Sequence, residues 1–408
     1  LVGCVPAAPP PGEPQVIDIA CVAGLKVPYG RSQEMGAKLA CDEINAAGGV
    51  DVGGVKHPLK LEIADGRSCE PGTPVNETLL VIEKLILDKG ARFFVSGPNR
   101  SEAAFAAMDL FSKHKAIAIF GSGSLSPALT AKVAGDYDKY KYTFRESGEV
   151  VWMVKEFTEV FAQLETDYGF DKVYTIVADV EHARKGGEIM GSVLEGRGWT
   201  VLGMDRYPIG SSDFSTSLIK AKEEGAQVLF VWHCQPESQI LIKQWYDLEI
   251  PALPVGFVNP VEPFETWAET NGKCEYWIAN QVNAGCCYAN FNTWVEEWFN
   301  AYKDRWGIEP EMYCVPVPYT SIYVLKDAIE RAGTLDADAV VKALEETDMK
   351  GTPQGRIRFD PENHEVIPSL DPDEGAVGSM FQWQDGKRIL IYPPLVATGE
   401  IQLPPWME

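Results

Sequence analysis

The stretch Val16-Ile17-Asp18-Ile19-Ala20-Cys21-Val22-Ala23, followed by Gly24-Leu25-Lys26-Val27-Pro28-Tyr29-Gly30, decides how the rest of the chain is read. Its first eight residues are a short apolar, β-branched run that predicts a strand, and the Gly- and Pro-containing segment after it predicts a loop. From Arg31 the period changes. Ala37, Ala40, Cys41 and Ile44 fall at i, i+3, i+4 and i+7, so a helix can lay a narrow face of small residues against a sheet. Gly48-Gly49 should end it, because glycine accepts the left-handed conformation that closes a helix. Strand, loop and helix make a first βα unit, and open α/β sheets bind ligands beyond the carboxyl ends of their strands.

The same rhythm continues. Leu59 to Asp65 alternates as a strand, and a helix from about Thr73 to Lys89 places Val75, Leu79, Ile82 and Ile86 on one face. Phe93 to Ser96 is a third strand, closed by Gly97-Pro98-Asn99-Arg100-Ser101. A small-residue helix then leads to the strand Ala116 to Phe120 and the loop Gly121 to Pro127. Four alternations call for a parallel sheet with helices on both faces. A second series starts near Thr143-Phe144-Arg145, with a helix from Val150 to about Tyr168, a strand at Val173 to Ala178 and a helix beyond Arg184. Strands at Trp199 to Leu202, Val228 to Trp232 and Pro254 to Phe257 complete it, with Pro236 opening a helix. The fold class is therefore α/β, as two doubly wound lobes.

The final third departs from this pattern. Tyr276-Trp277-Ile278-Ala279 is expected to add a strand to the first lobe. Long helices are predicted at about Asn290 to Trp306 and Tyr319 to Ala332, with Asp336 the N-cap of another. Gly355 to Asp360 and Ser379 to Trp383 read as strands, and the proline-rich tail from Pro393 as a surface segment.

At 408 residues the chain suits two domains. Lys+Arg 36 against Asp+Glu 59 gives a net charge of −23, a field that repels nucleic acid and anionic membrane surfaces. No apolar run approaches the roughly 20 residues needed to cross a bilayer. Leu1-Val2-Gly3-Cys4 resembles a bacterial lipobox, which would make Cys4 a lipidation site, and Pro6, Pro9, Pro10, Pro11 and Pro14 behind it make a stiff spacer. The alternative is that Cys4 is an ordinary residue. Nine cysteines suit an oxidising compartment. Cys41 and Cys69 are the pair to join first; Cys274, Cys286, Cys287 and Cys314 could supply one or two further bridges, and Cys21 and Cys234 read as buried thiols. Sequence leaves the pairing open.

Catalytic signatures are not found. His57, His114, His182, His233 and His364 make no metal-ligand spacing, so no metal is expected. Gly121-Ser122-Gly123-Ser124 lacks the Gly-Lys-Ser/Thr of a phosphate loop and reads as a turn offering N–H groups to a polar ligand. The acidic turn Asp371-Pro372-Asp373-Glu374-Gly375 departs from EF-hand spacing. With no Gly-x-Ser-x-Gly elbow and no assigned carboxylate pair, no enzyme and no cofactor are expected.

The first strand, Tyr29, Gly36, the run Asp42-Glu43-Ile44-Asn45-Ala46-Ala47-Gly48-Gly49-Val50, and Asp65 with Cys69 resemble the opening of the Leu/Ile/Val-binding-protein family. The likeness extends from Val16 to about Lys387, ending in the Gly355 to Asp360 turn and the Phe381-Gln382-Trp383 strand. It implies the type I periplasmic binding fold, with two lobes joined by crossover hinge strands. Residues 1–15 would be a tether, 16–145 with 258–370 the first lobe, and 146–257 with 371–408 the second. It also implies a periplasmic or lipid-anchored monomer that closes on a small-molecule ligand and docks on an ABC permease. A sensory module of the same fold is the alternative.

By the same resemblance Tyr29 packs on the ligand, and Asn99, Arg100 and Ser101 form the loop whose serine binds a carboxylate. Ser122, Gly123, Ser124 and Leu125 form the loop that binds an amino-acid head, with Leu125 where the family has threonine. His182 and Ala183, and His233, Cys234 and Gln235, stand near expected aromatic positions. The acid that pairs with an α-ammonium should lie at Val258 or Asn259, and neither carries a charge. Burying an ammonium without an anion is costly. The expectation is therefore a small carboxylate, amide or amino-acid-like ligand, aromatic members included, unless Glu181 or Glu262 replaces the missing acid.

Overall fold

The computed structural model describes residues 14–68, 70 and 72–407. Cys4 and Cys69 lie outside them. The first lobe is built on β1 (Ile17–Ala23), α1 (Pro28–Ala46), a small hairpin β2 (Val50–Val52) and β3 (Val55–His57), β4 (Leu59–Asp65) and α2 (Val75–Asp88). It continues through β5 (Phe93–Ser96), α3 (Ser101–His114), β6 (Ile117–Phe120), α4 (Ala128–Gly135), α5 (Tyr137–Tyr140) and β7 (Thr143–Arg145). Its sheet runs β4-β1-β5-β6-β7, all parallel.

The second lobe follows with α6 (Val150–Tyr168), β8 (Lys172–Ala178), α7 (Glu181–Gly196), β9 (Thr200–Tyr207), α8 (Ser215–Glu223) and β10 (Val228–Trp232). Then come α9 (Ser238–Asp247), β11 (Leu253–Phe257), α10 (Glu265–Glu269) and β12 (Ile278–Gln281). The chain returns to the first lobe for α11 (Thr293–Trp306), α12 (Pro316–Ala332), α13 (Ala337–Glu345) and the hairpin β13 (Asp348–Thr352) and β14 (Gly355–Arg358). It ends in the second with β15 (Ser379–Gln384) and β16 (Lys387–Tyr392), whose sheet runs β16-β15-β12-β11-β10-β8-β9.

The small-residue face of α1 does what its spacing demands. Ala37, Ala40, Cys41 and Ile44 are buried against the sheet, while Gly36 lies so close to the start of α12 that a β-carbon there would sit 2.2 Å from the Val315 carbonyl oxygen. Gly48 and Gly49 follow the helix at φ +99° and +89°. Asp336 caps α13 by accepting the Ala339 N–H at 3.0 Å.

Two expectations are corrected. β12 pairs in parallel with β11 and antiparallel with β15, so it extends the second lobe's sheet and not the first's. The segment from Val258 to Trp277 packs in the same lobe, and the second crossover lies between β12 and α11. The cysteines are the other correction. Cys41, Cys274, Cys286 and Cys287, expected in bridges, are free thiols, and Cys21 is the buried thiol the sequence predicts.

The crossovers are tied together by buried polar groups. Arg145, 1% exposed at the end of β7, donates through Nη1 to the carbonyls of Ser124 (3.0 Å) and Ser126 (2.6 Å). Its Nε lies 2.9 Å from one oxygen of Glu365, and Nη2 also donates to that carboxylate. Main-chain bonds from Arg145 N to His364 O and from Val366 N to Arg145 O fix the same contact. Buried Glu146 accepts from Gln354 Nε2 at 2.7 Å, and Glu156 accepts from Asn280, Trp152 and the Gly378 N–H. The tail is pinned to the second lobe by Trp406, whose indole N–H donates to Ile250 O and whose ring meets Trp245 and Tyr246.

Candidate functional site

The expected site residues stand in or near the loops that follow the parallel strands of the two sheets, and residues from both lobes line one cavity. Tyr29 is in the first turn of α1, not in a free loop, because Pro28 suits the first helical position. It packs against the second lobe's core while lining a cavity of about 510 Å³. Cys234 and Asn259 line that cavity from the other side. His182 joins them through its Nε2, 4.0 Å from the Cys234 sulfur, and loss of solvent draws its pKa down to about 4, so the ring is neutral.

The loops after β5 and β6 are bonded to each other. Asn99 donates through Nδ2 to Ser122 O (2.7 Å), and its own carbonyl accepts the Ser124 N–H at 2.7 Å. Gly123 sits at φ +96°, and a β-carbon there would come within 2.4 Å of Asn99 O, so this close approach requires glycine. The hydroxyls of Ser122 and Ser124 donate to Cys314 O and Pro98 O, and Ser101 Oγ accepts the Ser126 N–H. Leu125 and Ala183 are buried in apolar packing.

Arg100 caps α3, donates to Thr73 O at 3.4 Å and lies 3.4 Å from Glu102; it does not line the cavity. His233 turns into the interior of its lobe, with Nδ1 2.8 Å from Ser238 Oγ and its ring edge-on to Phe214. Burial lowers its pKa to about 4. Glu262 is also taken up internally. It accepts the Tyr313 N–H at 2.9 Å, and burial raises it to about 8. Glu181 keeps a buried oxygen, Oε2, without a protein partner, as do Asn99 Oδ1, Gln235 Oε1 and Asn259 Oδ1.

Several cavity residues escaped the sequence reading: Arg31 and Met35 on α1, Gln239 on α9, Glu265 and Glu269 on α10, and Glu311 and Met312. The last four come from segments after β11 and after α11. Arg388 brings these together by donating to the carbonyls of Glu262, Cys286, Pro310 and Glu311. Three prolines in the run Pro260, Pro263 and Pro310 were the available signal that these segments are rigid loops.

The chain is similar to known proteins along nearly its whole length. A periplasmic binding protein family model matches residues 19–372. The Leu/Ile/Val-binding protein homolog 3 of Brucella melitensis is 26% identical over 377 residues, covering 90% of this chain and 91% of the relative. The structure of a Silicibacter pomeroyi protein assigned to branched-chain amino acid ABC transport superposes with a TM-score of 0.82 at 21% identity, covering 97% of this chain and all of that one. A solute-binding protein of an R. palustris ABC transporter, solved with 4-hydroxybenzoate, gives 0.75 at 17% identity over 95% and 98% of the two chains.

Proposed function

We propose, from the premise that this chain belongs to the periplasmic binding protein family, that it is the solute-capturing subunit of an ABC importer. It closes its two lobes on a small polar organic molecule and presents the closed form to a membrane permease. The observation that carries the ligand reading is the set of buried, partnerless acceptors on the strand ends of both lobes: Asn99 Oδ1, Glu181 Oε2, Gln235 Oε1 and Asn259 Oδ1. A buried acceptor left unpaired costs about 1–3 kcal/mol, so a solute carrying N–H or O–H donors gains that energy on entering. Amides, amino-acid-like molecules and hydroxylated aromatic acids fit. The names of the Brucella relative and of the 4-hydroxybenzoate complex support both ends of that range.

A thermal-shift screen across amino acids, amides and aromatic acids tests this, because a ligand that binds only the native state raises Tm. One class should raise it by several degrees at 100 times its Kd, about 2.7 kcal/mol. A flat response over all three classes rejects the reading. Cys4 is proposed as the lipid attachment point, and intact-mass measurement on natively expressed protein should show the added acyl mass; an unmodified Cys4 rejects the anchor.

A further inference from the structure

We propose that the segment between α11 and α12, from Ile308 to Cys314, is a latch: it leaves the first lobe, seats in the second, and holds the two together through the protein's own bonds, ahead of any solute. The inference goes beyond the solute-capture reading, and its test uses no solute. Both flanking helices belong to the first lobe, where Trp298, Phe299 and Tyr302 of α11 and Tyr319 of α12 share one core with Val315. Tyr313 and Cys314 instead pack with the core of α6, β8, β10 and β11. The Tyr313 ring stands edge-on to Phe257 at the end of β11, with 5.3 Å between centroids. The chain therefore changes lobes twice within a few residues, leaving after Gly307 (φ +71°) and returning at Val315.

The seat consists of hydrogen bonds that run from lobe to lobe. Arg388 of β16 donates to Pro310 O (2.9 Å) and Glu311 O (2.7 Å) on the latch, and to Glu262 O (3.1 Å) and Cys286 O (3.2 Å) beside it. Its guanidinium lies 3.9 Å from the centre of the Phe264 ring, which orients the fork. Two bonds then cross in opposite senses: the Phe264 N–H donates to the Glu311 carboxylate and the Tyr313 N–H to the Glu262 carboxyl group, both at 2.9 Å. The far end of the latch is held by the first lobe. Ser122 Oγ donates to Cys314 O, and Val315 is fully buried beside Gly36. The latch thus cannot simply travel with the second lobe. Rotation about the crossovers has to unseat it, and that strands the buried Glu262 and the guanidinium's charge-assisted bonds. Ile308, Glu311 and Met312 also line the cavity, so seating the latch completes a wall of it.

Pulsed EPR on the full chain tests this, with spin labels carried by p-acetylphenylalanine at two exposed positions, Glu102 on α3 of the first lobe and Lys185 on α7 of the second. The protein is dialysed in denaturant and refolded, so that no solute is carried over. The parent should give one narrow distance. R388M, which removes four bonds at once, should lengthen it by more than about 2 Å in most molecules, and E311A, which removes one, should broaden it. Circular dichroism checks that each variant is folded; should R388M fail to fold, E311A, whose side chain is only partly buried, decides the comparison. A broad or bimodal distribution in the parent overturns the latch, as does a parent-like distance in folded R388M or, in its place, E311A. Solute capture is judged separately by the thermal-shift screen, which stands whichever way the distances fall.

Discussion

Replacing Arg145 with methionine is expected to cost about 3–5 kcal/mol of stability, the usual penalty for removing one partner of a buried ion pair. The loss has two parts. Glu365 would be left as a carboxylate in a site its guanidinium partner had filled, and the carbonyls of Ser124 and Ser126 would lose their donor. The position is also mechanical, since Arg145 ends β7 where the chain leaves the first lobe and meets the returning segment at His364 to Val366. Urea unfolding of R145M should show the midpoint falling at an unchanged slope, and R145M/E365Q should recover part of it, because the stranded charge is then gone. A change below 1 kcal/mol for R145M would show that the pair contributes nothing to the hinge.

Stability should also fall as pH rises from about 5 to about 8, the reverse of the usual carboxylate behaviour. Burial raises Glu146 and Glu262 to about 8 and Glu156 to about 7, each from an ordinary 4.5. Between the unfolded and folded values the native state binds more protons than the unfolded chain. Raising the pH therefore favours unfolding. Below about 4.5 both states are protonated and the stabilisation is fully present; it is lost as pH passes through the folded values. At about 1.4 kcal/mol per unit, Glu146 alone contributes roughly 2–4 kcal/mol to that slope. E146Q keeps an oxygen to accept from Gln354 and cannot ionise, so it should flatten the profile and be the more stable protein at pH 8. Parallel profiles for E146Q and its parent, measured by urea midpoint at half-unit intervals, would refute this assignment.

The βα rhythm was legible because it rests on local periodicity. The limits of α6, the capping by Asp336 and the narrow face of α1 were read from spacing alone, since each depends on residues within a few turns. The sheet that β12 joins was not legible. Ile-Ala-Asn-Gln is too short to state which lobe it completes, and its place is set by pairing with β11 and β15. The cavity's acidic wall was hidden for a related reason. Glu265, at the start of α10, and Glu311 are 46 positions apart, and they meet through the Phe264 N–H to Glu311 bond and through Arg388, still further along, which ties both backbones. Tyr29, Cys234 and Asn259 could be named beforehand because a strand's carboxyl end is a fixed address in this fold. Sequence could not tell that His233, one residue before Cys234, turns inward to Ser238.

The contact of Gly36 with the start of α12 has a consequence for biosynthesis. A nascent chain that has emerged through β7 carries a complete five-stranded sheet but lacks the helix that covers α1, and nearly 170 more residues must leave the ribosome before Val315 arrives. In that interval the side of α1 around Gly36 is open to wrong partners, while the second lobe's parallel strands are still being assembled. Holdase chaperones should therefore engage this protein most strongly at intermediate lengths, and release it once α12 is out.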